Sequence, residues 1–139
     1  MRPPVDRVRV SKQSRDTLVT LKRRTGIEHW NVLCRWGFVT SLANPDKPAA
    51  AAYPPDSNLE MSWDVFAGEM SDAMLAVFAL RAVRDGVKPP KTEMAAYFRS
   101  HLERGIAQLN RKSKFSDKAA IVLQFLAEYA HIREKPECL

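Results

Sequence analysis

Residues 5–26, VDRVRVSKQSRDTLVTLKRRTG, decide the fold that this sequence predicts. The first six residues largely alternate between apolar and charged side chains, which is typical of a short strand with valines on one face and Arg7 and Arg9 on the other. Ser11 can cap a helix that follows the strand, and Gly26 can end that helix in the left-handed conformation. The stretch therefore predicts a strand followed directly by a helix.

A second helix is predicted from about Glu28 to Ala43, with a broad apolar face. The order strand, helix, helix is that of a ribbon-helix-helix module, in which two protomers pair their strands and present outward side chains to the DNA major groove. Arg7 and Arg9 would be the outward pair, because a planar guanidinium binds two acceptors on a phosphate or a guanine edge. The alternative is an amphipathic edge strand that binds no ligand.

The rest of the chain predicts a loop, a short extended piece and more helices. Four prolines between Asn44 and Asn58 argue against regular structure there. Helical periodicity then predicts three helices that end near Asp85, Asn110 and Arg133. The expected fold is mainly α, with a short N-terminal strand followed by about five helices in one bundle domain. Its expected parts are a ribbon-helix-helix-like basic part at 1–43, a helical body at 59–115 and a C-terminal helical extension at 116–139, all within a single domain at 1–139.

The basic residues are concentrated near the N-terminus. The chain has 139 residues, with 22 Lys and Arg against 16 Asp and Glu and a net charge of +6. The first 24 residues hold eight basic and two acidic side chains, and the remaining residues hold 14 of each, so the whole excess lies in that segment. A basic segment on a neutral body predicts a polyanionic partner, with nucleic acid ahead of an anionic membrane surface. The alternative is a solvated charged face on an N-terminal helix.

Seven residues of this segment form the candidate DNA-binding set. Its densest part is the run at 22–24, and the attraction of cations to a helix C-terminus explains only part of it, because three in a row exceed what capping needs. A second basic cluster at 111–114 lies in a region of balanced charge and ranks lower. The candidate set is Arg7, Arg9, Lys12, Arg15, Lys22, Arg23 and Arg24.

Two segments are apolar on nearly every side. Residues 73–80 contain no polar side chain, and residues 119–130 contain only Gln124 and Glu128. Because the helices of a small bundle normally carry a polar face, these segments predict a surface for self-association. The alternative is that both are central core helices.

The sequence offers little for catalysis or for cofactor binding. Its two cysteines, Cys34 and Cys138, form no CxxC pair, and Cys34 lies on the apolar face of the second helix, which predicts a buried, unreactive thiol. Asp56 and Glu60 distantly resemble the acidic pair of a magnesium-dependent nuclease, but Ser62 stands where such a site uses lysine. We therefore predict no catalytic residue, no metal site and no cofactor.

Three motifs, in order along the chain, resemble the DndE family of bacterial DNA phosphorothioation proteins. The first extends over residues 10–27, the second is FAGE at 66–69, and the third is HLERGI at 101–106. Together they cover most of the chain, from about residue 5 to residue 116. The residues after about 117 resemble an extension that compact members of the family do not have.

The resemblance implies a cytoplasmic, mainly helical and oligomeric protein, commonly a tetramer, that binds DNA and prefers nicked duplex. It implies partners that replace a non-bridging phosphate oxygen by sulfur, namely a cysteine desulfurase, a sulfurtransferase and an ATPase. Lys22 matches the basic residue of the family pattern, whereas Arg23 and Arg24 make this region more basic than the pattern and residues 28–30 depart from it. The leading hypothesis is a non-catalytic DNA-binding subunit of a phosphorothioate modification system.

Two other functions stay open at this point. Some members of the family are linked to strand nicking, so one alternative is a metal-dependent nickase of the same system. The other is a DNA-independent assembly adaptor whose apolar helices dock partner proteins.

The longest apolar run, at 73–80, is too short to span a membrane, and the N-terminus lacks the apolar stretch of a secretory signal. We therefore expect a reduced, cytoplasmic protein without membrane contact.

Overall fold

The computed structural model describes residues 2–88 and 90–114, which form a mainly helical fold with one two-stranded sheet. The elements in chain order are β1 (Arg7–Arg9), α1 (Lys12–Thr25), α2 (Trp30–Ala43), β2 (Glu60–Ser62), α3 (Trp63–Ala67), a 3-10 turn (Gly68–Met70), α4 (Ser71–Arg84) and α5 (Lys91–Lys114). The prediction of a mainly helical fold with a short N-terminal strand is confirmed. The helix predicted between residues 116 and 133 lies outside the described residues.

The first helix begins and ends where its capping residues predict. The Ser11 hydroxyl accepts the backbone N–H of Ser14 at 3.1 Å, and Gly26 ends α1 with a φ of 76°. The five-residue α3 is an element that the apolar periodicity does not predict. It is capped by Ser62 in the same way, since the Ser62 hydroxyl accepts the backbone N–H of Val65 at 3.2 Å.

The strand β1 pairs with β2 of its own chain. The two strands are antiparallel, with Arg9 opposite Glu60 and Arg7 opposite Ser62. Val8 is buried and both arginines are exposed, so the predicted two-faced strand is confirmed. The order strand, helix, helix is also present. In a ribbon-helix-helix module this strand would pair with a strand of a second protomer, whereas here its hydrogen-bonded partner is β2 of the same chain.

The helices α2 and α5 cross at two glycines. A Cβ atom on Gly105 of α5 would stand 1.7 Å from the carbonyl oxygen of Gly37 on α2. Two backbones approach this closely only where neither carries a side chain. The crossing brings the ring of Phe38 into the core, where it packs on the rings of Phe66 and Phe98.

A buried polar group lies beside this crossing. The Nδ1 atom of His101 is 2.8 Å from the Ser41 hydroxyl oxygen, and Arg104 donates to the same oxygen at 2.8 Å. Burial, followed by the positive charges of Arg104 and Arg81, lowers the pKa of His101 to about 4, so the ring is neutral at pH 7. Arg81 also donates to the carbonyl oxygen of Leu42 at 2.8 Å. The group therefore connects α2, α4 and α5.

Glu103 connects α5 to the start of α1. Its carboxylate accepts the backbone N–H of Ser11 at 2.9 Å and the hydroxyl of Ser14, and it also accepts from Arg99 at 3.2 Å. A carboxylate is favourable at a helix N-terminus because the unpaired N–H groups there carry partial positive charge. This contact attaches the basic elements β1 and α1 to the helical body.

Among the residues that the structure describes, one side of α4 is buried and the other is exposed. Met74 and Phe78 are buried, whereas Val77 is 51% exposed and Leu80 is 72% exposed. The predicted burial of residues 73–80 is therefore present on one side of α4. The burial of these residues between chains stays a prediction. The second apolar segment, 119–130, lies outside the described residues. Within residues 2–88 and 90–114, no helix is long and apolar enough to cross a membrane.

We expect Gly105→Ala to destabilise the fold. Alanine in a helix interior normally gains about 1 kcal/mol over glycine, but here its Cβ would meet the Gly37 backbone, which cannot move without separating α2 from α5. We expect a net loss of about 2 kcal/mol or more in the free energy of unfolding, measured by urea denaturation. Gly37→Ala is the milder companion, because the nearest atoms to its Cβ belong to Ile106 at 3.0 and 3.1 Å. A Gly105→Ala variant that is as stable as the wild type would contradict the close approach of α2 and α5 at this point.

Candidate nucleic-acid interface

Arg7 and Arg9 hold one carboxylate between them. The Nε atom of Arg7 donates to Oε1 of Glu60, and an Nη atom of Arg9 donates to Oε2, both at 2.6 Å. The strand register explains this arrangement, because Glu60 lies directly opposite Arg9 and diagonally from Arg7. The two arginine side chains remain 58% and 48% exposed. Hydrogen bonds from Arg9 and Arg7 hold the pKa of Glu60 below its usual range, so one negative charge meets two positive charges at this surface.

Lys22 lies at the same depression as Glu60. The depression has a volume of about 330 Å³, and Lys22 from α1, His29 and Trp30 from the start of α2, and Leu59 and Glu60 from the second strand region all line it. The ammonium nitrogen of Lys22 is 4.2 Å from the centroid of a Trp30 ring, which is a cation–π contact. The carboxylate that pairs with the strand arginines therefore lies at the same depression as one cation from the end of α1.

Helix periodicity places Arg15 on the side of α1 that carries Lys22. The two residues are seven apart, close to two turns of 3.6 residues, and both are half-buried. Lys12 and Arg23 are eleven apart, close to three turns, and both are exposed. The helix thus carries Arg15 on the same side as Lys22, and Lys22 shares a depression with Glu60, the partner of Arg7 and Arg9. We refer to Arg7, Arg9, Arg15 and Lys22 as the basic face, with Lys12 and Arg23 at its margin.

Arg24 points away from the basic face. Its guanidinium donates to the side-chain oxygen of Asn110 at 3.0 Å and to the hydroxyl of Ser113 at 3.3 Å, both near the end of α5. Successive helix residues are rotated by about 100°, so three consecutive cations cannot all face one ligand. The structure therefore divides the predicted cluster: Lys22 lines the depression, Arg23 is exposed, and Arg24 attaches α1 to α5.

The second basic cluster forms a separate surface. Arg111 and Lys112 are exposed at the end of α5, and they line another depression together with Thr40 and Asn44 of the α2 end. The side chain of Lys114 lies outside the described part of the chain, as does Lys118. This surface is a natural comparison for the basic face, because it offers two exposed cations in a different place.

The residues considered for chemistry have partners within the fold. Cys34 is buried, and burial followed by the charge of Glu103 raises its pKa to about 12, which confirms the predicted unreactive thiol. The Asp56 carboxylate accepts the backbone N–H of Lys12 at 3.0 Å at the start of α1, and Glu60 is held by the strand arginines. Among the side chains that the structure describes, no three of His, Cys, Asp or Glu are arranged to hold a metal ion.

Sequence reasoning misses two residues of this surface. One is Glu60 as the partner of both strand arginines, and the other is Trp30 as the aromatic partner of Lys22. A weak signal exists for Glu60, since an extended segment with an outward acid complements a strand with outward arginines. Trp30 gives no such local signal, because its contact with Lys22 depends on the angle between α1 and α2.

Known proteins share both this sequence pattern and this fold. The sequence model of the family "DNA sulphur modification protein DndE" matches residues 7–117, which confirms the resemblance indicated by the motifs. A crystal structure of DndE from Escherichia coli B7A, described as involved in DNA phosphorothioation modification, is 27% identical, with a TM-score of 0.61 and coverage of 78% of this chain and 98% of that chain. A crystal structure of a DndE mutant is 24% identical, with a TM-score of 0.58 and coverage of 77% and 98%, and supports the fold. No curated protein sequence matches the chain.

Arg24→Ala should lower stability because it removes the hydrogen bonds that join α1 to Asn110 and Ser113. We expect a loss of about 1 kcal/mol in the free energy of unfolding, measured by urea denaturation. Arg23→Ala removes the neighbouring exposed cation and should change stability by less than about 0.5 kcal/mol. Equal losses in the two variants would contradict the division of the cluster.

Proposed function

Because the chain belongs to the DndE family of DNA sulphur modification proteins, we propose that it is a non-catalytic DNA-binding subunit of a phosphorothioate modification system. One observation carries this proposal: the exposed side chains of Arg7 and Arg9 hold Glu60 at the depression that Lys22 also lines. A polyanion with regularly spaced phosphates is the partner that such a surface fits. In this role the chain presents duplex DNA to partner enzymes that insert sulfur.

The parts of the basic face contribute differently to phosphate binding. Arg7 and Arg9 are two residues apart on β1, which is about 7 Å along a strand, and each planar guanidinium can bind a phosphate through two N–H donors. Lys22 adds a compact positive charge at the depression, and Arg15 extends the surface along α1. Phosphate contacts fix the position and orientation of the duplex without reading its bases. We therefore expect binding with little sequence preference.

The proposal includes a preference for nicked duplex, as the family resemblance implies. A nick interrupts one strand and lowers the cost of bending the duplex at that point. The Lys22–Glu60 depression is concave, and a bent or opened backbone can enter a concave surface more readily than a straight duplex can. The concavity supports the proposal physically, and direct comparison of nicked with intact DNA tests it.

The proposal also includes protein partners and self-association. Sulfurtransferase and ATPase components would supply the chemistry, in the cytoplasm. The exposed apolar side of α4, formed by Val77, Leu80 and Val83, is a surface on which copies of this chain or those partners can pack. A tetramer would present four basic faces, and simultaneous contacts with one duplex would raise the overall affinity.

A DNA-independent assembly adaptor is the second candidate function. The same exposed side of α4 favours it, because large apolar side chains at the surface indicate a protein-binding site. An adaptor would use α4 for partner docking and would not depend on the basic face. The two candidates therefore differ in whether neutralising Arg7, Arg9 and Lys22 changes function.

Fluorescence anisotropy with a labelled nicked duplex tests the proposed DNA site. The double variant Arg7→Gln/Arg9→Gln and the single variant Lys22→Gln should each weaken binding. For each phosphate that the variant no longer binds, the slope of log affinity against log salt should fall by about 0.9 on duplex DNA. The weakening should be nearly equal on unrelated sequences, because phosphate contacts carry no base information.

The matched control is Arg111→Gln/Lys112→Gln, which removes two exposed cations from the separate depression at the end of α5. This variant should keep most of the affinity and of the salt slope. Wild-type binding by the basic-face variants, together with abolished binding in the control, would place the DNA on the other surface.

The same assay with intact and with single-stranded DNA tests the preference for nicked duplex. Cleavage of the duplex in Mg²⁺ would support the nickase. An absence of DNA binding would favour the adaptor.

A further inference from the structure

Glu60 binds the two strand arginines in the way that a phosphate would. Each of its carboxylate oxygens accepts from a different guanidinium at 2.6 Å, Oε1 from Arg7 and Oε2 from Arg9. The antiparallel register sets this geometry, because both arginines point outward from β1 and Glu60 faces them from β2. The carboxylate therefore occupies the space between the two guanidiniums at the surface.

A phosphodiester group resembles this carboxylate chemically. Both are monoanions whose charge is shared by two oxygen atoms, and guanidinium groups bind both through parallel N–H donors. Hydrogen bonds from Arg9 and Arg7 lower the pKa of Glu60, so it is ionised at neutral pH. A DNA phosphate that approaches β1 must therefore compete with an anion that is already in place.

The competition favours exchange because the ion pairs are accessible to water. The Arg7 and Arg9 side chains are 58% and 48% exposed, and the Glu60 side chain is 26% exposed. Exposed ion pairs contribute little to stability, so releasing them costs little. The sheet itself does not depend on them, since its backbone pairing and the burial of Val8 hold β1 in place.

We infer that Glu60 occupies the phosphate-binding position of Arg7 and Arg9 in the DNA-free protein, and that a DNA phosphate displaces it. The inference rests on the proposed function and deepens it, since it names the residue that sets the affinity of that site. A phosphate that reaches only one arginine leaves Glu60 bound to the other and is repelled by it. Glu60 thus selects binding modes in which both guanidiniums are engaged together.

Glu60→Gln tests this inference, because it removes the charge and keeps the size and polarity of the side chain. Binding of a labelled nicked duplex, measured by anisotropy over a salt series, should become roughly two- to fivefold tighter. The gain should vanish when Glu60→Gln is combined with Arg7→Gln/Arg9→Gln, because it acts through those arginines. Glu60→Asp, which keeps the charge but withdraws it by one methylene, should give an intermediate gain.

The matched control is Glu28→Gln, which removes an equal charge at the rim of the same depression. It should give a smaller gain that persists without Arg7 and Arg9, since it acts only through the general field. Unchanged or weaker binding by Glu60→Gln and Glu60→Asp, with weaker binding by Arg7→Gln/Arg9→Gln, would overturn the inference and leave the DNA site standing. Wild-type binding by Arg7→Gln/Arg9→Gln would overturn the strand as a DNA-binding element, and the inference with it.

Discussion

The close crossing of α2 and α5 at Gly37 and Gly105 constrains the position of every other helix. Because the two backbones nearly touch there, Ser41 on α2 comes within hydrogen-bond distance of His101 on α5. The same helix α5 carries Glu103, which accepts the N–H at the start of α1. The geometry of the basic face thus depends on a contact in the core, where neither helix can carry a side chain. A change in the crossing would move α1, and with it the cations along that helix.

The arginines of this chain have two separate roles. One group binds oxygen atoms within the fold, as Arg24 does with Asn110, and Arg81 and Arg104 do with backbone carbonyls. These arginines satisfy oxygen atoms that have lost contact with water inside the fold, and they join one helix to another. The other group remains at the surface, where Glu60 moderates the charge of the two strand arginines. The net charge of the chain therefore overstates the number of positive side chains that are available to bind a polyanion.

Local chemistry explains which parts of the fold the sequence predicts. Ser11 and Gly26 define the ends of α1 because capping depends on neighbouring residues alone. The pairing of β1 with β2 depends instead on residues about fifty positions apart, and no local pattern specifies that partner. The candidate site shows the same limit. Lys22 and the strand arginines are predicted individually as cations, but the depression that Lys22 shares with Glu60, the partner of those arginines, requires the packed arrangement of α1, α2 and the sheet.

Hydrogen–deuterium exchange of the full chain, with and without a nicked duplex, tests the central claim that the sheet and the adjoining side of α1 form the DNA surface. Bound DNA should slow backbone exchange in peptides that contain residues 7–9, 22–30 and 59–62, because segments 22–30 and 59–62 border the depression shared by Lys22 and Glu60 and segment 7–9 pairs with the strand that carries Glu60. Peptides from residues 108–112 should be unaffected, because they border the separate depression at the end of α5. Protection confined to 108–112, with none at 7–9 or 59–62, would contradict the account.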